Sequence, residues 1–144
     1  MDTIQSTQAG SAQQRWQSHY AGEQTVRLAR RCVLVVDDDE DSREALAMWL
    51  SWSGYEVIQA SDGNSAVKLA HRHLPGLIFL DISMPGRNGY DVCSELRHVP
   101  VVRDSRIFAL SALTGKTHDA RCTEVGFTAQ ITKPLDLARL ENLV

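Results

Sequence analysis

From Cys32 onward the chain alternates short apolar runs with stretches of helical period, and that alternation limits the fold more than any other feature. Cys32–Val36, Tyr55–Ala60, Leu77–Leu80, Arg106–Leu110 and Thr128–Thr132 read as strands. Ser42–Ser53, Asn64–His73, Tyr90–Arg97, Thr117–Val125 and Leu135–Val144 read as helices between and after them. The stops agree with this division. Gly54 follows the first helix, Pro75-Gly76 the second and Gly126 the fourth, while Pro134 precedes the fifth. In the first helix Ala45, Leu46, Trp49, Leu50 and Trp52 are expected to share the buried side. Strands with almost no polar residue, such as Val33-Leu34-Val35-Val36, suit a parallel sheet covered on both faces. Five strand–helix units with right-handed crossovers give a doubly wound α/β domain with a five-stranded parallel sheet.

Residues 31–144 are expected to form that domain. Residues 1–30 differ: glutamine recurs at 5, 8, 13, 14, 17 and 24 among Ser, Thr, Ala and Gly, with no strand pattern. They read as a polar extension or linker, partly helical where Trp16 and Tyr20 stand four apart between about Ser11 and Arg31. With 15 Lys and Arg against 18 Asp and Glu, the net charge of −3 gives no electrostatic ground for a nucleic-acid partner. Ala45–Leu50 is the longest apolar stretch of helical character, too short to span a bilayer, and Met1–Gly10 has no apolar signal segment. Cys32, Cys93 and Cys122 have neither zinc nor disulfide spacing. They read as buried thiols of a reducing, cytoplasmic compartment.

In a parallel sheet all strand C-termini share one edge, where ligands of open α/β sheets bind. The residues just past each apolar run can therefore be grouped. The first strand delivers Asp37, Asp38 and Asp39, followed by Glu40 and Asp41. The third delivers Asp81, the fourth Ser111, and the fifth Lys133 followed by Pro134. Asp39, Glu40 and Asp41 have a simpler role as cap and first turn of the first helix. The remaining carboxylates would repel one another without a cation, and an oxygen-only set suits Mg²⁺. A lysine and a hydroxyl beside that ion could hold a phosphoryl group, and a carboxylate can accept one covalently. Asp81, apart in sequence from the acidic cluster, is the candidate acceptor.

Four ordered motifs carry a family resemblance: Val35-Val36-Asp37-Asp38; Leu80-Asp81 with Met84-Pro85-Gly86 and Asn88-Gly89; Ala109-Leu110-Ser111-Ala112; and Thr132-Lys133-Pro134. Together they resemble the receiver domain of two-component response regulators, from about Arg31 to Val144. The resemblance implies the flavodoxin-like strand order 2-1-3-4-5. It implies that Asp81 accepts a phosphoryl group from phosphohistidine on a sensor histidine kinase or a histidine phosphotransfer domain. It implies Mg²⁺, or Mn²⁺ in its place, held by Asp38, Asp81 and the Ser83 carbonyl, with Asp37 acting through water. Ser111 would hydrogen-bond a phosphoryl oxygen and move on activation, Lys133 would pair with the group, and the Lys133–Pro134 bond would be cis.

The pattern departs from the family at the position three before Lys133, commonly an aromatic ring that swings inward as Ser111 moves. Here it is Gln130. Ser83 and Leu113 flank the path of an attacking water, and apolar Leu113 is expected to prolong the phosphoryl state. Ala112 is small and leaves the acceptor open to a donor imidazole. The usual readout and dimer face, helix 4–strand 5–helix 5, would include Lys116, Arg121, Gln130 and Arg139. No output domain is expected after Val144, so the chain reads as a stand-alone receiver or the receiver of a larger protein. One alternative is a receiver with weakened switching that serves as an interaction or phosphate-sink module. A remote one is a phosphatase of the haloacid dehalogenase type, using Asp37 and Asp39; it leaves Asp81 without a role, and Asp41 stands where that pattern has Thr or Val. A dinucleotide site is disfavoured because no Gly-rich fingerprint follows the first strand.

Overall fold

A computed structural model describes residues 31–113 and 115–144. The extension read over residues 1–30 lies outside the described residues. Five strands, β1 (Cys32–Val36), β2 (Glu56–Ala60), β3 (Leu77–Asp81), β4 (Arg106–Ser111) and β5 (Ala129–Thr132), form one sheet in the order β2-β1-β3-β4-β5. All four pairings are parallel. The helices are α1 (Glu40–Trp52), α2 (Gly63–His73), α3 (Gly89–Arg97), α4 (Lys116–Val125) and α5 (Leu137–Leu143).

Strand alternation sorts the core into two layers. Val33, Val35, Phe79 and Leu110 point to one face, where Leu46 and Leu50 of α1 and Leu140 of α5 cover them. Leu34, Val36, Ile78 and Leu80 point to the other, against Ala66 and Ala70 of α2 and Val92 and Leu96 of α3. Small alanines on α2 let that helix lie close to the sheet. Leu46 and Leu50 are one helical turn apart, and burying each contributes about 2 kcal/mol relative to leaving it in water. Among the described residues no helix is long and apolar enough to cross a membrane.

Several boundaries differ from the sequence reading, and hydrogen bonds explain them. Helix α1 begins at Glu40, two residues before Ser42, because the Asp39 carboxylate caps it by accepting from the Ser42 amide and hydroxyl. Helix α5 begins at Leu137 rather than Leu135, since Asp136 is the cap and accepts from the Ala138 amide at 3.0 Å. Trp52 is not on the buried side of α1. It lies two residues, about 200° of helical rotation, past Leu50 and is 79% exposed. Ala45 is exposed as well, and Ala47 takes the buried place. Strands β3 and β4 each run one residue further than the apolar pattern, so Asp81 and Ser111 end strands instead of following them. That extension fixes both residues in the hydrogen-bonded lattice of the sheet.

Candidate functional site

The register of the sheet brings the polar groups to one edge. Val36 pairs with Leu80, Asp81 with Leu110 and Ser111 with Thr132. Asp37 follows β1 and its amide donates to the Ala60 carbonyl at 3.2 Å. After β3 the chain turns sharply back, with the Gly89 amide donating to the Ile82 carbonyl at 3.0 Å. A Cβ on Gly89 would lie 2.5 Å from the Asp81 carbonyl oxygen and 2.8 Å from the Ile82 Cα, so this return is built for glycine. Asn88 caps α3 by accepting from the Asp91 amide. The Asn88-Gly89 pair thus serves the loop that follows Asp81.

Asp37, Asp38 and Asp81 each place a carboxylate oxygen within 4.8 Å of the others. Asp37 and Asp81 are buried, Asp38 is exposed. Lys133 reaches between the two buried acids, with Nζ 2.9 Å from Asp37 Oδ2 and 3.3 Å from Asp81 Oδ2. Its amide donates to the Ser111 carbonyl at 2.8 Å, tying the β5 end to the β4 end, and the Lys133–Pro134 bond is cis. The other oxygen of each acid is held by backbone: Asp37 Oδ1 by the Asp39 amide and Asp81 Oδ1 by the Ser83 amide, both at 3.0 Å.

Burial pushes the Asp81 carboxyl up to about 6, and the neighbouring Asp37 adds to the rise. The Ser83 amide and Lys133 pull the other way. For Lys133 desolvation works against the ammonium, yet the hydrogen bond to Asp37 and the charges of both acids leave it above its ordinary value. The lysine therefore stays charged, and it alone among the described cations touches both acids.

The predicted residues meet unequally. Asp37, Asp38, Asp81 and Lys133 converge. Ser111 is buried at the same edge, but its Oγ accepts from the Leu113 amide at 2.9 Å and makes no hydrogen bond to Asp81. Because Oγ is the acceptor there, its own proton remains free to donate. Ser83 lies exposed in the loop after Asp81, and Leu113 is 53% exposed. Gln130 is exposed on β5 and, with Arg139 and Asn142, lines an open groove between β5 and α5. Asp39 is committed to capping α1, with its carboxyl held below the ordinary range by the Ser42 hydroxyl, which removes it from the phosphatase-like pairing with Asp37.

Two contacts at or near the site have no counterpart in the sequence reading. Arg43 Nη1 donates to the Asp37 carbonyl at 2.9 Å. The Tyr90 hydroxyl meets His118 Nδ1 at 2.5 Å, joining α3 to α4. Both partners of the second pair are buried. A buried histidine and a tyrosine at the start of a neighbouring helix are a weak signal for such a pair, and nothing in local spacing points to the first.

An oxygen donor set of three carboxylates, one of them exposed with no hydrogen bond to a described residue, fits a hard divalent cation of the Mg²⁺ kind. Residues 33–144 match the family model described as the response regulator receiver domain. The chain is 38% identical over 115 residues to the response regulator PleD of Caulobacter vibrioides, which covers 77% of this chain and 25% of that protein. It therefore spans about a quarter of the length of PleD. Among solved structures it is similar to the chemotaxis protein CheY4 of Vibrio cholerae, with TM-score 0.75 and 28% identity over 81% of this chain and 100% of that one. It is also similar to a chain in the CheX–CheY–BeF3–Mg complex of Borrelia burgdorferi, with TM-score 0.70 and 30% identity over 77% of this chain and 84% of that one.

Proposed function

The chain belongs to the response regulator receiver domain family, and from that premise we propose that Asp81 is its phosphoacceptor in a two-component phosphorelay. One observation carries the assignment: Asp81 is the buried carboxylate that ends β3 with Lys133 on one oxygen and the Ser83 amide on the other. In the proposed reaction an Asp81 oxygen attacks the phosphorus of a phosphohistidine. The P–O bond forms as the P–N bond breaks, and the donor imidazole leaves with the electron pair. Asp81 must be ionised to attack. Its raised carboxyl makes the metal-free chain a poor acceptor below about pH 6.

Asp38, Asp81 and the Ser83 carbonyl would hold Mg²⁺ or Mn²⁺, with Asp37 acting through water. The metal, when bound, supplies the positive charge that lets the carboxylates and a phosphoryl group share one site. Lys133 passes from Asp81 to a phosphoryl oxygen while keeping Asp37 as its anchor. Ser111 turns its free hydroxyl proton toward the same group. Leu113, apolar and exposed, supplies no base to position a water, which favours a long-lived product.

The donor is a sensor histidine kinase or histidine phosphotransfer domain, and the Mg²⁺ and BeF3 of the Borrelia complex support the same chemistry here. The face built from α4, β5 and α5, with Lys116, Arg121, Gln130 and Arg139, is the readout and homodimer surface of this reading. Three buried free thiols suit the cytoplasm. The test is incubation with acetyl phosphate and Mg²⁺, followed by peptide mass spectrometry. One phosphoryl group on Asp81 is expected, and none on Asp81→Asn. An Asp81→Asn chain that labels at the wild-type rate refutes the assignment.

A further inference from the structure

We propose that Arg43 is a positioning residue for the metal site, acting through the peptide that joins Asp37 to Asp38. The inference rests on the metal reading given above and adds a residue to it. Asp38 is exposed, and among the described residues no hydrogen bond holds its carboxylate. With no side-chain partner among the described residues, its Cα and Cβ are placed by the backbone on either side. Both flanking peptides of Asp38 are pinned. On the C-terminal side, the Asp39 amide donates to Asp37 Oδ1 at 3.0 Å. On the N-terminal side, the Asp37 carbonyl accepts from Arg43 Nη1 at 2.9 Å.

Arg43 is itself braced. It stands in the first turns of α1, half-buried, and its Nε donates to Gln59 Oε1 on the edge strand β2 at 3.1 Å. A guanidinium offers donors in a rigid fork, so it can span a backbone carbonyl and a side-chain amide at once; an ammonium is a single point. The fork therefore locks α1, the β1–α1 turn and the β2 edge into one unit around Asp38. Partners of this kind, which touch no metal but orient a ligand, change metal affinity by about ten- to a hundredfold when removed.

The electrostatic and the geometric effects of Arg43 have opposite signs. A cation close to an acidic cluster opposes the binding of a second cation, so its removal by charge alone should tighten metal binding. Loss of the pinned peptide should loosen it. The experiment is titration of the full chain with Mn²⁺, reading free ion by electron paramagnetic resonance, alongside hydrogen exchange of the Asp38 and Asp39 amides.

Arg43→Ala is expected to weaken Mn²⁺ binding about tenfold, the low end of that range. Arg43→Lys, which keeps the opposing charge without the fork, should also bind Mn²⁺ more weakly than wild type. Gln59→Ala should weaken binding by less than Arg43→Ala. Exchange at Asp39 should quicken in the same order. Unchanged or tighter binding in Arg43→Ala and Arg43→Lys, with wild-type Mn²⁺ binding intact and lost in Asp38→Ala, overturns the role of Arg43 alone. A wild-type chain that binds no Mn²⁺, or an Asp38→Ala chain that binds it as well as wild type, overturns the metal reading and this inference with it.

Discussion

Replacing Asp81 by asparagine should make the metal-free protein more stable at neutral pH, although it removes an ion pair. The folded-state carboxyl is raised from its ordinary 3.8 to about 6. A raised carboxyl means that the folded chain holds its proton more tightly than the unfolded one. The stability contributed by the protonated group is complete below pH 3.8 and is lost as pH rises through about 6. Each pH unit of difference is worth about 1.4 kcal/mol, so the ionised, metal-free site costs on the order of 3 kcal/mol above pH 6. Asparagine keeps the shape and carries no charge, while Lys133 retains Asp37 at 2.9 Å as its partner.

Thermal unfolding in a chelating buffer reads the effect directly. For a domain of this size 1 kcal/mol moves Tm by a few degrees, so Asp81→Asn should melt several degrees above wild type at pH 7.5. The advantage should shrink toward zero as the pH approaches 4. Millimolar Mg²⁺ should close the gap at pH 7.5 by stabilising wild type, since a ligand of the folded state alone raises its stability by mass action. A variant no more stable than wild type at pH 7.5, or an advantage that persists undiminished at pH 4, refutes the claim that burial and Asp37 dominate over Lys133 at this carboxylate.

Four further outcomes are expected. Gly89→Ala should destabilise the fold by about 3 kcal/mol in urea titration, because the new Cβ meets backbone atoms of Asp81 and Ile82 that cannot move aside. Gly86→Ala, with φ of +78° but nothing within 4 Å of its Cβ, should lose only about 1 kcal/mol. Tyr90→Phe should destabilise by about 1–3 kcal/mol by leaving buried His118 Nδ1 without its hydroxyl partner, read in the same titration. Leu113→Glu should shorten the lifetime of the phosphoryl group by about tenfold by placing a water-orienting base at the exposed mouth, followed by phosphate-affinity electrophoresis; an unaltered lifetime removes Leu113 from the account.

The fold and the convergent edge were legible because one signal served both. A buried parallel strand is an almost pure apolar run, so the first polar residue after it is both the strand's end and a member of the ligand-binding edge. That logic placed Asp37, Asp81, Ser111 and Lys133 without any long-range information. It failed where side chains overrule periodicity. Asp39 and Asp136 set helix starts by capping, and Trp52 fell outside the buried arc of α1 although it shares its composition. It failed altogether for contacts between distant elements. Arg43 and Gln59 are 16 residues apart, and Tyr90 and His118 are 28 apart; each pair exists only because the sheet order brings its elements together.

In the proposed reading, Gln130 bears on what a phosphoryl group at Asp81 would move. It is exposed, lines the β5–α5 groove and has no ring to turn inward, so the family's usual lever at this position is missing. What Ser111 touches instead is the amide of Leu113, at the start of the segment that leads into α4. That helix begins at Lys116 after Gly115, a cap residue at φ of +120° that has no side chain to hydrogen-bond, so its first turn is weakly held. Its body is held strongly: Tyr90 grips His118, and the Arg121 guanidinium lies 4.0 Å from the centre of the Tyr90 ring. A hydroxyl drawn from the Leu113 amide to a phosphoryl oxygen would therefore release Leu113 while the Tyr90–His118 contact kept the body of α4 on α3. The physical consequence is a local change at the N-terminal turn of α4, beside Lys116, instead of a displacement of the whole helix. Of the four residues grouped on the proposed readout face, Lys116 lies nearest in sequence to Leu113, whose amide Ser111 holds.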